Sequence, residues 1–203
     1  MAQATQTPDL HTFRFRLIPK DVGVAIVLVV ALALGWILRV QTESRTTTFQ
    51  DTASPFSVAY PATWGSVESL KQLVLKVEDP RTASPFKTAL TVERRGLDPQ
   101  SPPTLQQLVD RRVAQQGALT GFHLLSTGEA TVGCAKAMRQ EYAYVVQPID
   151  QPRRASLPVV VHAVEYVVVT KDNAFYITLA APESEFANAS AQMNEIIKSA
   201  RVQ

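Results

Sequence analysis

Val22–Leu38 reads Val-Gly-Val-Ala-Ile-Val-Leu-Val-Val-Ala-Leu-Ala-Leu-Gly-Trp-Ile-Leu, without one charged side chain. In hydrocarbon every backbone N–H and C=O must find its partner within the segment, so a run like this crosses a bilayer as a helix. At ~1.5 Å per residue it reaches roughly 26 Å, near the lower end for a span. Asp21 and Arg39 bound it. Arg39 can snorkel toward the headgroups, and Trp36 sits one turn from the end, where an indole prefers the interface. The run is apolar on every face and precedes a separate globular pattern, unlike the core helix of a soluble protein. Ala31-Leu32-Ala33 fits the small-x-small rule for signal cleavage. Cleavage there would leave Leu34, Trp36, Ile37 and Leu38 as a greasy new N-terminus. No cysteine lies near the end of the run, which excludes a lipoprotein anchor. The expectation is an uncleaved signal anchor, with the lipid bilayer as the partner of Val22–Leu38.

Orientation follows from charge. Arg14, Arg16 and Lys20 precede the run, and Arg39 and Arg45 follow it. The excess of basic residues before the span favours a cytoplasmic N-terminus and an extracytoplasmic C-terminal part at the cell membrane. The chain then divides into a cytoplasmic segment (1–20), a transmembrane helix (21–40), a linker (41–48) and an extracytoplasmic domain (49–203). About 155 residues suit one domain with one core. A net charge of +2 makes no case for an electrostatic nucleic-acid binder. The single cysteine, Cys134, permits no internal disulfide and is expected as a small buried strand residue.

From Phe49 the pattern is that of strands. Candidates are 48–51, Phe56–Tyr60, Leu73–Glu78 and Thr88–Glu93. Thr104 opens a helix with Leu105, Leu108, Val109 and Val113 on one face, and Asp110, Arg111, Gln115 and Gln116 turned outward; Gly117 ends it. A short strand over Phe122–Ser126 and a turn at Gly128-Glu129 lead into three antiparallel strands, Cys134–Val146, Val159–Thr170 and Ala174–Ala180. The last helix is expected from about Pro182 to Ala200, with an apolar stripe of Phe186, Ala189, Met193, Ile196, Ile197 and Ala200. Two amphipathic helices on a mostly antiparallel sheet make an α+β layered fold.

Chemistry is sparse. His11, His123 and His162 show no H-x-x-x-H or H-E-x-x-H spacing, and there is no cysteine cluster, so no metal or other cofactor is expected. There is no G-x-S-x-G, and only 8 glycines, which disfavours phosphate-cradling loops. His123, His162 and Glu165 form a weak candidate ligand site. Glu165 and Glu141 on neighbouring strands could do acid–base work, although pairing with Arg139 or Lys136 is the stronger expectation. Surfaces remain. The connection 147–158 is long for a hairpin and carries Arg153 and Arg154, candidate partner contacts. The loop Asp79–Lys87 is a second such surface.

Phe56-Ser57-Val58-Ala59-Tyr60-Pro61-Ala62-Thr63-Trp64 resembles the opening segment of the PsbP family, the extrinsic luminal subunit of photosystem II and its relatives. Leu75-Lys76-Val77-Glu78-Asp79-Pro80 followed by the Thr88–Glu93 strand is similar to the family's next pair. Gly133–Tyr144, with Gln140-Glu141-Tyr142, resembles its Gly…Tyr-x-Tyr strand. Ala174–Leu179, then Ala-Pro-Glu and a terminal helix closing at Ser199-Ala200-Arg201-Val202, is similar to its ending. The resemblance covers roughly Phe49 to Val202. It implies an α-β-α sandwich with a central antiparallel sheet, and a non-catalytic accessory or assembly role at a membrane protein complex. Two departures stand out: this chain keeps an anchor, and the basic N-terminal region of the photosystem subunit has no counterpart in 41–48. The alternative expectation is a small-molecule or lipid-binding module, with the apolar strand Val159–Val169 lining its cleft.

Overall fold

Alternation over Leu73–Glu78 and β-branching over Val159–Val169 produce strands over those very bounds. The computed structural model describes residues 19–43, 45–53, 56–67, 73–147 and 157–202. The chain divides after Thr42 into two units. The first contains α1 (Pro19–Glu43) except its last residue. Within it Val22–Gln41, 20 residues, is long and apolar enough to cross a membrane, and is exposed along its length.

Among its described residues the second unit holds two sheets and two α-helices. Its elements are β1 (Thr46–Gln50), β2 (Phe56–Pro61), β3 (Gly65–Ser66), β4 (Leu73–Glu78), β5 (Ala89–Gly96), α2 (Leu105–Gln116), β6 (His123–Val132), β7 (Ala135–Val146), β8 (Val159–Val169), β9 (Asn173–Pro182), α3 (Phe186–Ser199) and β10 (Arg201–Val202). The large sheet has the order β3-β4-β5-β9-β8-β7-β6, and a small one the order β1-β2-β10. Every neighbouring pair is antiparallel. One face of the large sheet packs against α3 and β2 around Phe56, Val92, Phe175, Ile177, Met193 and Ile196. Phe56 and Phe175 stack with ring centroids 4.8 Å apart. The other face takes α2, through Leu108 and Val109 against Val167 and Tyr176. The domain is thus an α-β-α sandwich with a central antiparallel sheet.

Several local expectations change. The turn expected at Gly128-Glu129 is strand: β6 runs unbroken through both residues. The chain reverses instead at Gly133-Cys134, where Gly133 takes φ +60°. A two-residue hairpin needs this left-handed backbone, which glycine adopts without strain. Cys134 is therefore an exposed turn residue, not a buried strand residue. The segment 41–48 is mostly regular: α1 continues to Glu43, and the β-branched threonines begin β1 at Thr46. The last helix starts later than Pro182, because β9 runs through Pro182 and a 3-10 turn, Glu183–Glu185, intervenes. Gln116, expected to face outward, is buried at the end of α2.

Candidate functional site

The α2 face of the sheet buries charge. Glu165 on β8 is fully enclosed, and its register partners are Gln140 on β7 and Thr178 on β9. Arg112 Nε donates to Glu165 Oε1 at 2.8 Å and Arg112 Nη1 to Glu93 Oε2 at 3.0 Å. The second Glu165 oxygen accepts from Gln116 Nε2 at 2.5 Å and Gln140 Nε2 at 3.0 Å, with the Tyr142 hydroxyl at 3.5 Å. Arg95 Nε closes the far end on Glu93 Oε1 at 2.7 Å. The Arg112 guanidinium also lies over the Tyr176 ring, 4.9 Å from its centroid, a favourable cation–π position.

Position on α2 explains the assembly. Leu105, Leu108, Val109, Arg112, Val113 and Gln116 fall at i, i+3, i+4, i+7, i+8 and i+11, one helical stripe. A charge and an amide on an otherwise apolar stripe must find partners beneath the helix. Sequence reasoning missed Arg112, Gln116, Gln140 and Glu93; the polar members of that stripe were the available signal. A capping box fixes the start of the helix: Thr104 Oγ1 accepts from Gln107 N, and Gln107 Oε1 accepts from Thr104 N.

Burial lifts the Glu165 carboxyl above its ordinary pKa, and Arg112 and the two amides oppose this only in part. Burial works against the Arg112 guanidinium, yet Glu165 and Glu93 outweigh it and hold its pKa above the usual value. The Tyr142 phenol is pushed well above its ordinary value by burial and then by Glu165. Burial alone raises Tyr144 to about 12.

α2 has only 12 residues, about 18 Å of helix, and leaves the remainder of this face open. The open part is the floor of a cleft of about 670 Å³ whose lining includes Lys76, Phe86, Lys87, Arg112, Tyr144 and Thr178. The 79–88 loop supplies one wall. Phe122 packs beneath, its ring 5.6 Å from that of Tyr142, which lies 6.0 Å from Tyr144.

The weak histidine–glutamate site does not assemble. His162 and Glu165 are three positions apart on one strand, so they face opposite sides of the sheet. His162 lies on the α3 side, stacked on Phe186 at 3.6 Å between ring centroids. Its Nδ1 is 2.9 Å from Glu183 Oε2, and its Nε2 is 2.9 Å from Glu141 Oε1 but off the angle of a hydrogen bond. Glu141 pairs with Arg139 of its own strand, and this partner holds its carboxyl below the ordinary value against the opposing effect of burial. Glu165 pairs with Arg112 rather than Arg139 or Lys136. His123 is exposed on β6, with β7 between it and His162. Among the described residues no group of three His, Cys, Asp or Glu is placed to hold a metal ion. Arg153 and Arg154 lie outside the described residues.

With the geometry established, solved structures can be compared. The solution structure of cyanobacterial PsbP (CyanoP) from Synechocystis aligns over 78% of this chain and 92% of its own, with a TM-score of 0.58 and 14% identity. The domain has a PsbP-like fold. The crystal structure of LpqN, involved in cell envelope biogenesis of Mycobacterium tuberculosis, also shares it, over 77% of this chain and 89% of its own, with a TM-score of 0.57 and 12% identity. PA94 from Pseudomonas aeruginosa, a protein of unknown function and putative regulator, aligns over 77% of this chain and 96% of its own, with a TM-score of 0.50 and 11% identity. No protein-family model and no curated protein sequence matches the chain. The resemblance seen in the Phe56–Trp64 and Gly133–Tyr144 segments is therefore a resemblance of fold.

Proposed function

We propose that this protein is a single-pass, membrane-anchored accessory subunit, with its PsbP-like domain outside the cytoplasm and docked on a membrane protein complex without catalytic duty of its own. The observation that carries this reading is the edge at β6, which no other strand covers among the described residues. This strand of 10 residues ends the large sheet. It exposes Leu124 by 41% and Leu125 by 53%, and Glu129 is its one carboxylate. An uncovered strand edge with two exposed leucines and a single carboxylate invites another strand or an apolar partner surface. A tether at Val22–Gln41 raises the local concentration of such an edge at the bilayer. Two neighbours with this fold, one a PsbP and one involved in cell envelope biogenesis, support a role at a membrane or envelope.

Mild detergent extraction of the full chain, followed by native gel electrophoresis and mass spectrometry, tests docking. The expected result is comigration with membrane proteins, lost in a Leu124→Lys/Leu125→Lys variant that still melts normally. Migration as a free monomer would count against docking. A reporter active only outside the cytoplasm, fused after Gln203, should be active; silence reverses the orientation.

A further inference from the structure

The cleft beside α2 has a charge balance that the docking reading does not use. The guanidinium that lines it is neutralised: Arg112 faces Glu165 and Glu93. Lys76, also in the lining, has its Nζ 2.9 Å from Glu78 Oε1. Lys87 is different. Its Nζ donates to Thr82 O at 2.6 Å and meets no carboxylate among the described residues. An ammonium has three donors, so two stay available. The rings of Phe86, Tyr142 and Tyr144 share the lining with it. Aromatic faces favour planar, offset-stacked partners. The volume, about 670 Å³, falls in the range of roughly 300–1,000 Å³ in which small-molecule sites lie.

We infer that this cleft binds a small aromatic monoanion, its ring against Phe86 and Tyr144 and its carboxylate on Lys87. The charge count selects one negative charge, because among the described residues Lys87 is the single cation lining the cleft that no carboxylate matches. The second charge of a dianion would meet no unmatched cation. A neutral aromatic would leave the Lys87 donors to water. The site is independent of the β6 edge, so it stands or falls separately from docking.

The test uses the full chain in lipid nanodiscs, titrated calorimetrically with naphthoate, with the neutral naphthalenemethanol and with cyclohexanecarboxylate; empty nanodiscs supply the blank. Saturable single-site binding of naphthoate is expected, with the neutral alcohol and the aliphatic acid each weaker by about tenfold, the scale of one charge-assisted hydrogen bond for the alcohol and of one aromatic contact for the aliphatic acid. Lys87→Gln should weaken naphthoate about tenfold and leave the alcohol unchanged, whereas Lys87→Arg should retain binding. Tyr144→Leu should remove the advantage of naphthoate over the aliphatic acid. Thermal melts of each variant confirm that the domain is folded. No saturable heat above the blank, equal affinity for acid and alcohol, or binding indifferent to Lys87→Gln each overturns the proposal.

Discussion

On the α3 side of the large sheet, Phe56, Phe175, Ile177 and Met193 interlock as an apolar core. On the α2 side, at the same depth, Glu165, Arg112, Gln116 and Gln140 satisfy one another. The first arrangement is stabilised by area, which has no direction and tolerates volume-conserving change. The second must beat the desolvation of its charges before it contributes anything, and replacing such a pair by apolar residues is often neutral or better. What the polar side adds is direction, because only one seating of α2 places Arg112 on both Glu165 and Glu93.

The largest expected effect breaks the polar side. Glu165→Ala leaves a buried guanidinium without its main partner and should cost about 3–5 kcal/mol. The Glu165→Leu/Arg112→Met double substitution should return most of that loss. A double-mutant cycle of Glu165→Leu, Arg112→Met and the two together, by chemical denaturation, measures the coupling, and simple additivity of the two single changes would refute it.

On the apolar side, Ile177→Ala should cost about 2–5 kcal/mol through lost transfer energy and a cavity. The fully buried Ile177 has Val92 and Tyr166 as its cross-strand partners. Its penalty should therefore be the same at pH 5 and pH 8, while that of Glu165→Ala should not. Denaturation at both values separates the two sides.

Gly133→Ala sharpens the same contrast at the rim. The added Cβ would sit 3.0 Å from the Ala200 carbonyl oxygen on a backbone at φ +60°. The hairpin would have to leave the end of α3 or carry the strain, at about 1–3 kcal/mol. A thermal melt gives the loss, and an unshifted melting temperature would show that the contact yields freely.

The two sides also differ in how far they could be read from sequence. Leu73–Glu78 and the stripe through Met193 and Ile196 were legible because packing on an apolar face follows period 2 or 3.6 alone. The β6 hairpin was misread because Gly128 has the composition of a turn, whereas Gly133 takes the left-handed backbone and faces Ala200, a residue distant in sequence. Glu165 stood out as a carboxylate inside a β-branched run. Its partner Arg112 is 53 positions away, and no local pattern pairs a strand carboxylate with a distant helix. The cleft was less legible still, since it depends on where α2 stops across the sheet.

Proton linkage gives each side a different sign. Glu165 has a raised pKa in the fold, so over the interval between its unfolded and folded values the native state holds the proton more tightly. Its contribution is fully present below the ordinary carboxylate value and is lost as pH rises through the raised one. Glu141, lowered by Arg139, contributes above the ordinary value and loses that contribution as pH falls through its lowered pKa. Denaturation across pH 3–8 should show Glu165→Gln removing the loss on the rising side and Glu141→Gln the loss on the falling side. If Glu165→Gln leaves the profile unchanged, the carboxyl is not perturbed by its burial.

The smallest effect concerns how each helix is held. α3 has no side-chain N-cap at Glu185, and its apolar stripe supplies the hold, with Ala189, Met193, Ile196 and Ile197 buried. α2 buries only Leu108, Val109 and Gln116, so its first turn relies on the Thr104–Gln107 box. Thr104→Ala should cost about 1 kcal/mol. Glu185→Ala, which loses one exposed bond from Ala83 N, should cost a few tenths at most by the modest net worth of such bonds. Because Thr104 lies two turns before Arg112 on the same helix, fraying of α2 should also raise amide exchange at Leu108 and Val109 before it affects Arg112. Equal losses for the two variants, or exchange that rises in α3 instead, would mean that packing holds both helices alike and that the polar side of the sheet needs no cap to seat α2.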